Sequence, residues 1–390
     1  MTFSIAILGS TGSIGRSTLK VLKKDKKYKV KLLTTNKNAN RIFKQAIQFK
    51  VKNVIITNKI KYNKYKSLFK KNDINLYLGL HNIKKILRTK ISYTMNAISG
   101  IEGLEPSLNI IPHTKNFLIA NKESIICGWK LIHYKLKKYN TKFIPIDSEH
   151  FSIWKLIQNE SKREIKKVIL TASGGPFLKK SLKNIRNISP NHALNHPTWK
   201  MGKKISIDSS NMMNKVFELI EAKKIFGLSN KNISILIHPT SYIHAIVIFK
   251  NNLIKILAHE ANMIIPISNA LNINYVSDQR KTEFNLKKLN NMKFIKPNYN
   301  RFPILSIINK IPKNDSYFET ILISLNDSLV DKYLKGEINY ISIQKNLLNL
   351  IESTYFKKYY KLKPKNIYDI KKMITITNNY LNLNLKYYDK

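Results

Sequence analysis

Acids are scarce in this chain. Its 390 residues hold 23 Asp and Glu against 69 Lys and Arg, a formal charge of +46. Cysteine is nearly absent: Cys127 stands alone, which excludes an internal disulfide framework and suits a reducing cytoplasm. No stretch approaches the ~18 consecutive apolar residues that span a bilayer. No basic segment followed by a long apolar one opens the chain, so neither a signal nor a transit peptide is expected. Two readings of the charge compete. One is an anionic partner, nucleic acid or membrane. The other is compositional drift, as in a bacterium with an A+T-rich genome. Lys, Asn and Ile are heavy everywhere, as in "KNNLIKIL" and "KKYNTKF", and no basic helix, zinc-finger spacing or aromatic nucleic-acid motif occurs. The spread favours drift, and neither a specific nucleic-acid partner nor a membrane partner is expected.

With 43% hydrophobic residues the chain can bury a large core in two or three domains. Apolar runs at 3–8, 29–35, 53–57, 92–98, 117–120 and 142–147 alternate with helical patterns, the clearest at 124–139. That alternation predicts an α/β fold with a doubly wound, Rossmann-like parallel sheet over 1–147. Residues 148–272 continue with strands and helices and gather many polar residues, predicting an α+β catalytic segment. An irregular basic linker is expected over 273–298, and helical periodicity predicts a small helical domain over 299–390.

Gly9, Gly12 and Gly15 follow the first apolar run in "GSTGSIG". Glycine at the end of a buried strand lets backbone approach a pyrophosphate and a helix pack on the strand. The anion would then sit at the amino end of a helix starting near Ser13, with Thr11 and Ser13 adding hydroxyls. NAD-specific folds usually close their second strand with an acid. Here the strand runs into "LLTTNKNANR", which has no acid but has Lys37 and Arg41. This suits the 2′-phosphate of NADPH, although Lys37 also reads as one more surface lysine.

Three further runs place polar residues just after apolar strands, where ligands gather in open α/β sheets. "FLIANKES" places Asn121, Lys122 and Glu123; "FIPIDSEH" places Asp147, Ser148, Glu149 and His150; "VILTASGGPF" places Ser173 and two glycines. In an extended segment Asp147 and Glu149 would share a side. With a third carboxylate they could hold Mg²⁺ or Mn²⁺. The alternative is a helix amino terminus, capped by Asp147 or Ser148. Asn214, Lys215 and Glu218 would share a helix face beside Ser209, gripping phosphate and completing the metal site, unless Lys215 and Glu218 are an exposed pair. "HPTWKMGKK", with His196, Trp199 and Gly202, reads as a lid over about 193–203, or as a loop packed on the core. His238 and His244 read as structural.

Together these motifs, with "MMNK" before Glu218 and "LIHPTSYIH", resemble the 1-deoxy-D-xylulose 5-phosphate reductoisomerase family. The resemblance is strongest from Gly9 to Met263. It implies an NADPH-binding domain, a connective catalytic domain that makes a homodimer, a linker and a helical domain in a cytoplasmic enzyme. It further implies Asp147, Glu149 and Glu218 as ligands of Mg²⁺ or Mn²⁺. Lys122, Ser148 and Glu149 would contact the substrate's oxygen-bearing carbons. His196 would approach from the lid, and Trp199 would cover the substrate. Lys122, Asp147, Glu149, Glu218 and His196 would form the catalytic set, with Glu218 also touching substrate. Ser173, Ser209, Asn214 and Lys215 would bind its phosphate. Thr11, Gly12, Ser13, Ile14, Lys37, Asn38, Asn121, Glu123, Gly202 and Met263 would hold the cofactor. The implied reaction rearranges the carbon skeleton of 1-deoxy-D-xylulose 5-phosphate and reduces the resulting aldehyde with NADPH. The product, 2-C-methyl-D-erythritol 4-phosphate, feeds non-mevalonate isoprenoid synthesis. The chain departs from the family at Asn36, where glycine is usual, and at Ala261, Asn262 and Ile264.

Overall fold

Seven apolar runs form one parallel sheet. The strands are β1 Phe3–Leu8, β2 Tyr28–Thr35, β3 Asn53–Ile56, β4 Asn75–Leu78, β5 Ile91–Asn96, β6 Thr114–Ile119 and β7 Lys142–Pro145. They lie in the order β4-β3-β2-β1-β5-β6-β7, every neighbouring pair parallel. The helices between them are α1 Ser13–Leu22, α2 Ala39–Gln48, α3 Lys59–Lys71, α4 Ile83–Ile86, α5 Leu104–Ile110 and α6 Lys122–Lys138. α7 Ser148–Leu156 follows β7. The winding reverses between β1 and β5, and at such a switch point the strand ends leave a crevice for a ligand. The computed structural model describes residues 2–185, 188–195, 198–199, 201–274 and 286–388.

A second sheet has β8 Ile165–Ala172, β9 Ile233–Ile237, β10 Ile243–Phe249 and β11 Ile254–Ala258, in the order β11-β10-β8-β9. β8 and β9 are parallel, and β10 runs against both β8 and β11. Helices α8 Pro190–Leu194, α9 Lys203–Ser210 and α10 Met213–Phe226 lie between β8 and β9 in the chain. α11 Ile264–Ala270 and α12 Leu286–Asn290 follow the sheet. The remaining helices are α13 Phe318–Leu334, α14 Tyr340–Glu352, α15 Thr354–Lys357 and α16 Ile367–Tyr388. Among the described residues, no helix is long and apolar enough to cross a membrane.

The chain forms two compact units, Met1–Trp154 with Asn262–Thr282, and Lys155–Ala261 with Glu283–Lys390. This division differs from the expected boundaries: residues 148–154 fall in the first unit, and the expected linker is divided between the two. Residues 262–272, expected with the catalytic segment, pack with the first unit, because α11 lies on α1 and buries Ile264, Ile267 and Leu271 in that unit's core. The helical region is joined to the second sheet in one unit: α10 meets the 3₁₀ helix Pro303–Lys310, and α13 meets α9.

Candidate active site

Each unit carries its own cluster. In the first, Gly9 turns the chain out of β1 with φ +77°, a left-handed conformation that favours glycine. A β-carbon on Gly9 would lie 2.8 Å from the Ala97 carbonyl oxygen, so the turn hugs the end of β5. A β-carbon on Gly15 would lie 2.5 Å from both the Gly9 carbonyl oxygen and Ser10 Cα, so α1 packs directly on the turn. Gly12 is exposed and caps α1 without a side chain. No side chain covers the first N–H groups of that helix from this cap, and they suit an anion. The turn is pinned from β2 and α2. Gly9 N donates to Thr34 Oγ1 at 2.9 Å, Thr11 and Thr35 hydroxyls meet at 2.7 Å, and Gln45 exchanges two hydrogen bonds with Ser10. Lys37, Asn38 and Arg41 are exposed at the amino end of α2. Ile14 and Met263 are partly buried against the first unit's core.

Because β6 and β7 are neighbours, their ends bring Lys122 and Asp147 into an ion pair. His150 Nδ1 lies 3.1 Å from the other Asp147 oxygen. Burial alone would raise the Asp147 carboxyl, but the Lys122 charge and His150 outweigh it and hold the carboxyl well below the usual carboxylate range. Asp147 is therefore an anion at neutral pH. The extended reading of Asp147 and Glu149 is corrected here. β7 ends at Pro145, and α7 starts at Ser148 with Phe151 N bonded to the Asp147 carbonyl. Glu149 thus sits in a first helical turn, where Ser148 Oγ donates to it at 2.6 Å. Helix start and carboxylate pair coexist. Asn121 caps α6 by accepting from Ser124 N and uses its amide N–H groups on the Ile98 and Gly100 carbonyls. Its side chain is thereby a strut between strand ends, and Glu123 follows it in the first turn of α6.

In the second unit, α10 is buried along the face that carries Lys215 and Glu218, which excludes the exposed-pair reading. Lys215 Nζ lies 2.5 Å from Glu218 Oε2 and donates to the Thr171 carbonyl at 2.6 Å. Asn214 Nδ2 donates to Glu218 Oε1 at 2.5 Å. Asn214 Oδ1 is buried with no hydrogen-bond partner among the described residues. Ser173 Oγ accepts from Gly175 N in the turn after β8. Gly175 has φ +68°, and a β-carbon there would lie 2.9 Å from the Ser209 carbonyl oxygen and 2.8 Å from Ser210 Cα. Close backbone approach thus seats the Ser173 turn against Ser209. Trp199 packs edge-on to His244, with ring centroids 5.9 Å apart, and Thr198 meets the Ser241 hydroxyl at 3.3 Å. Gly202 is exposed and opens α9. His196, Pro197 and Lys200 lie outside the described residues. His238 and His244 are buried and hydrogen-bonded to carbonyls of Lys293 and His259, as structural histidines are. Sequence reasoning had not given His150 a role, although its i, i+3 spacing from Asp147 was the available signal.

A glycine turn at the switch point of a parallel sheet, with a second unit bearing a buried Lys–Glu cluster, is the build of dinucleotide-dependent oxidoreductases. Three family models place it further. The 1-deoxy-D-xylulose 5-phosphate reductoisomerase model matches residues 5–128, the reductoisomerase C-terminal domain model 143–226, and a second DXP reductoisomerase C-terminal domain model 259–379. A protein of that name from Pelagibacter ubique is 49% identical over 387 residues, 98% of each chain. One from the Wolbachia of Brugia malayi is 38% identical over 359 residues, 90% of each. The Zymomonas mobilis reductoisomerase solved with NADPH is 29% identical with a TM-score of 0.86, covering 97% of each chain. A reductoisomerase solved with NADPH, fosmidomycin and magnesium is 28% identical, TM-score 0.90, covering 98% of each. The chain belongs to the 1-deoxy-D-xylulose 5-phosphate reductoisomerase family.

Proposed function

We infer that this chain carries out the family's reaction. It converts 1-deoxy-D-xylulose 5-phosphate to 2-C-methyl-D-erythritol 4-phosphate, using NADPH and Mg²⁺, in isoprenoid precursor synthesis. The observation that carries this reading is the near full-length match at 49% identity, together with the Lys122–Asp147 and Lys215–Glu218 clusters that the motifs select.

The residues present fit both groups. Asp147, Glu149 and Glu218 would hold the ion: carboxylate oxygens are hard donors, Asp147 is kept anionic, and Asn214 Oδ1 adds an unsatisfied hard acceptor beside Glu218. Thr11, Gly12, Ser13 and Ile14 would take the pyrophosphate, and Lys37 and Asn38 the 2′-phosphate side. When bound, the metal polarises the ketone and its neighbouring hydroxyl, and NADPH supplies the hydride that reduces the rearranged aldehyde.

The chain's own residues supply the rest. Lys122, fixed by Asp147, presents a cation to the substrate's oxygen-bearing carbons beside Ser148 and Glu149. Ser173, Ser209, Asn214 and Lys215 would grip the phosphate. Binding energy at that remote group is then available to orient the reacting end. His196, Trp199 and Gly202 would close over the substrate and exclude water.

The test is NADPH oxidation with substrate, with and without Mg²⁺, in Glu218→Gln. Loss of metal-dependent turnover with NADPH binding retained is the expected result, and undiminished turnover would remove Glu218 from the metal set. Mn²⁺ is proposed to substitute for Mg²⁺, which restoring metal-stripped protein with each ion decides. A homodimer is also proposed. β11 is an edge strand that exposes Ile254 and Ile256 next to exposed Leu253, the kind of open apolar edge a second chain covers. Sedimentation giving the mass of one chain would remove it. A cytoplasmic location is proposed from the lone, buried Cys127. Recovery of the protein in another cell fraction would count against it.

A further inference from the structure

Ser209 lies between two residues that the helical region holds. On one side is Asp208, 1% exposed, whose Oδ1 accepts from Asn326 Nδ2 of α13 at 2.8 Å. Its other oxygen lies 3.0 Å from Lys204 Nζ. On the other side is Ser210, whose hydroxyl lies 2.8 Å from the Tyr340 hydroxyl of α14. Ser210 Oγ donates its single proton to the Ile207 carbonyl at 2.7 Å, so Tyr340 is the donor in that pair. Tyr340 is buried beneath Phe177, which belongs to the same turn as Ser173, with ring centroids 5.4 Å apart. The end of α9 is thus fixed from α13, from α14 and, through Gly175, from the turn after β8.

We propose that Asn326 and Tyr340 are positioning residues for the substrate phosphate, holding Ser209 through Asp208 and Ser210. This rests on the reading that Ser209 binds that phosphate. Two physical needs are met at once. A serine hydroxyl at the end of a short helix gives useful binding only if its backbone does not fray. A buried carboxylate in the last turn of that helix would loosen the turn unless it were held, and Asn326 and Lys204 hold it. The helical region therefore serves the site without contacting substrate.

The experiment is steady-state kinetics on Tyr340→Phe, Asn326→Ala, Ser209→Ala and the two double variants that contain Ser209→Ala. Thermal melting and NADPH binding serve as controls. Loss of one positioning hydrogen bond should raise the KM for 1-deoxy-D-xylulose 5-phosphate about fivefold. kcat should stay within about twofold, and the KM for NADPH should not move, a split that general loosening of the unit does not produce. In the Ser209→Ala background neither substitution should raise KM further. If Ser209→Ala raises KM while Tyr340→Phe and Asn326→Ala do not, or if their effects simply add to it, the inference is overturned and Ser209 keeps its role. If Ser209→Ala leaves KM at the wild-type value, the reading of Ser209 fails and the inference with it. Should Asn326→Ala fail to fold, Tyr340→Phe decides, since it removes only a hydroxyl.

Discussion

Replacing Gly15 by Ala isolates what the third glycine of the phosphate turn does. Its φ is outside the left-handed region, so the backbone itself accepts alanine, and alanine in a helix would by propensity stabilise by about 1 kcal/mol. Packing opposes this. The new methyl group would lie 2.5 Å from the Gly9 carbonyl oxygen and Ser10 Cα, and 2.7 Å from the Ser10 carbonyl carbon. All three are backbone atoms that no rotamer change can move, in a turn held by Thr34 and Gln45. Overpacking of this kind costs about 3 kcal/mol, leaving a net loss near 2 kcal/mol. At about 2–4 °C per kcal/mol for a unit of this size, the melting temperature should fall by about 4–8 °C. Gly12→Ala is the control. Its β-carbon would lie 3.4 Å from the nearest atom, an ordinary contact, and the residue is exposed. That variant should melt within about 2 °C of wild type yet bind NADPH more weakly, because the methyl group would stand where the pyrophosphate is proposed to bind. Differential scanning calorimetry with and without NADPH reads both. A Gly15→Ala protein as stable as wild type would refute the steric account of the turn.

Gln45→Leu removes both hydrogen bonds that tie α2 to Ser10, and should raise the NADPH dissociation constant about fivefold while the substrate KM holds; fluorescence titration measures it. Lys224→Met should cost about 2–3 kcal/mol in chemical denaturation, because it takes the ammonium 3.1 Å from Glu319 away from a carboxylate that is 2% exposed and keeps its hydrogen bonds from Ser316. Burial pulls Lys224 down, but Glu319 and Asp315 outweigh it and raise it above the usual lysine range. Its contribution is thus complete at neutral pH and is lost only as pH rises through that raised value, so the gap between variant and wild type should be flat from pH 6 to 9. Gly175→Ala, placed at φ +68° against Ser209, should raise substrate KM about tenfold with NADPH binding intact, by the same kinetics.

Six strands of the first sheet were legible because a parallel strand covered on both faces is a continuous apolar run between turn signals. β4 was not: Asn75–Leu78 is a four-residue edge strand, half-exposed, with no such run to show. The site's residue types were legible from motifs, but their local geometry was not. Asp147 and Glu149 read as extended because strand and first helical turn both permit neighbouring carboxylates. The burial of Lys215 and Glu218 depends on what α10 packs against, which spacing alone does not carry. Asp208 and Asn326 stand 118 residues apart, and only the fold shows that one answers the other.

The return of α11 to the first unit has a consequence for how the chain matures. β1–β7 emerge from the ribosome first, but their core is closed by Ile264, Ile267 and Leu271, and Tyr28 gives its hydroxyl to the Leu271 carbonyl. All of Lys155–Ala261 is synthesised in between. At ~5–20 residues per second that is a delay of about 5–20 seconds, during which the apolar face of α1 waits uncovered. Nascent chains halted before α11 should accordingly be protease-sensitive and chaperone-bound, and those released after it should not. The dinucleotide unit, first in sequence, is complete only after all four strands of the second sheet have been made.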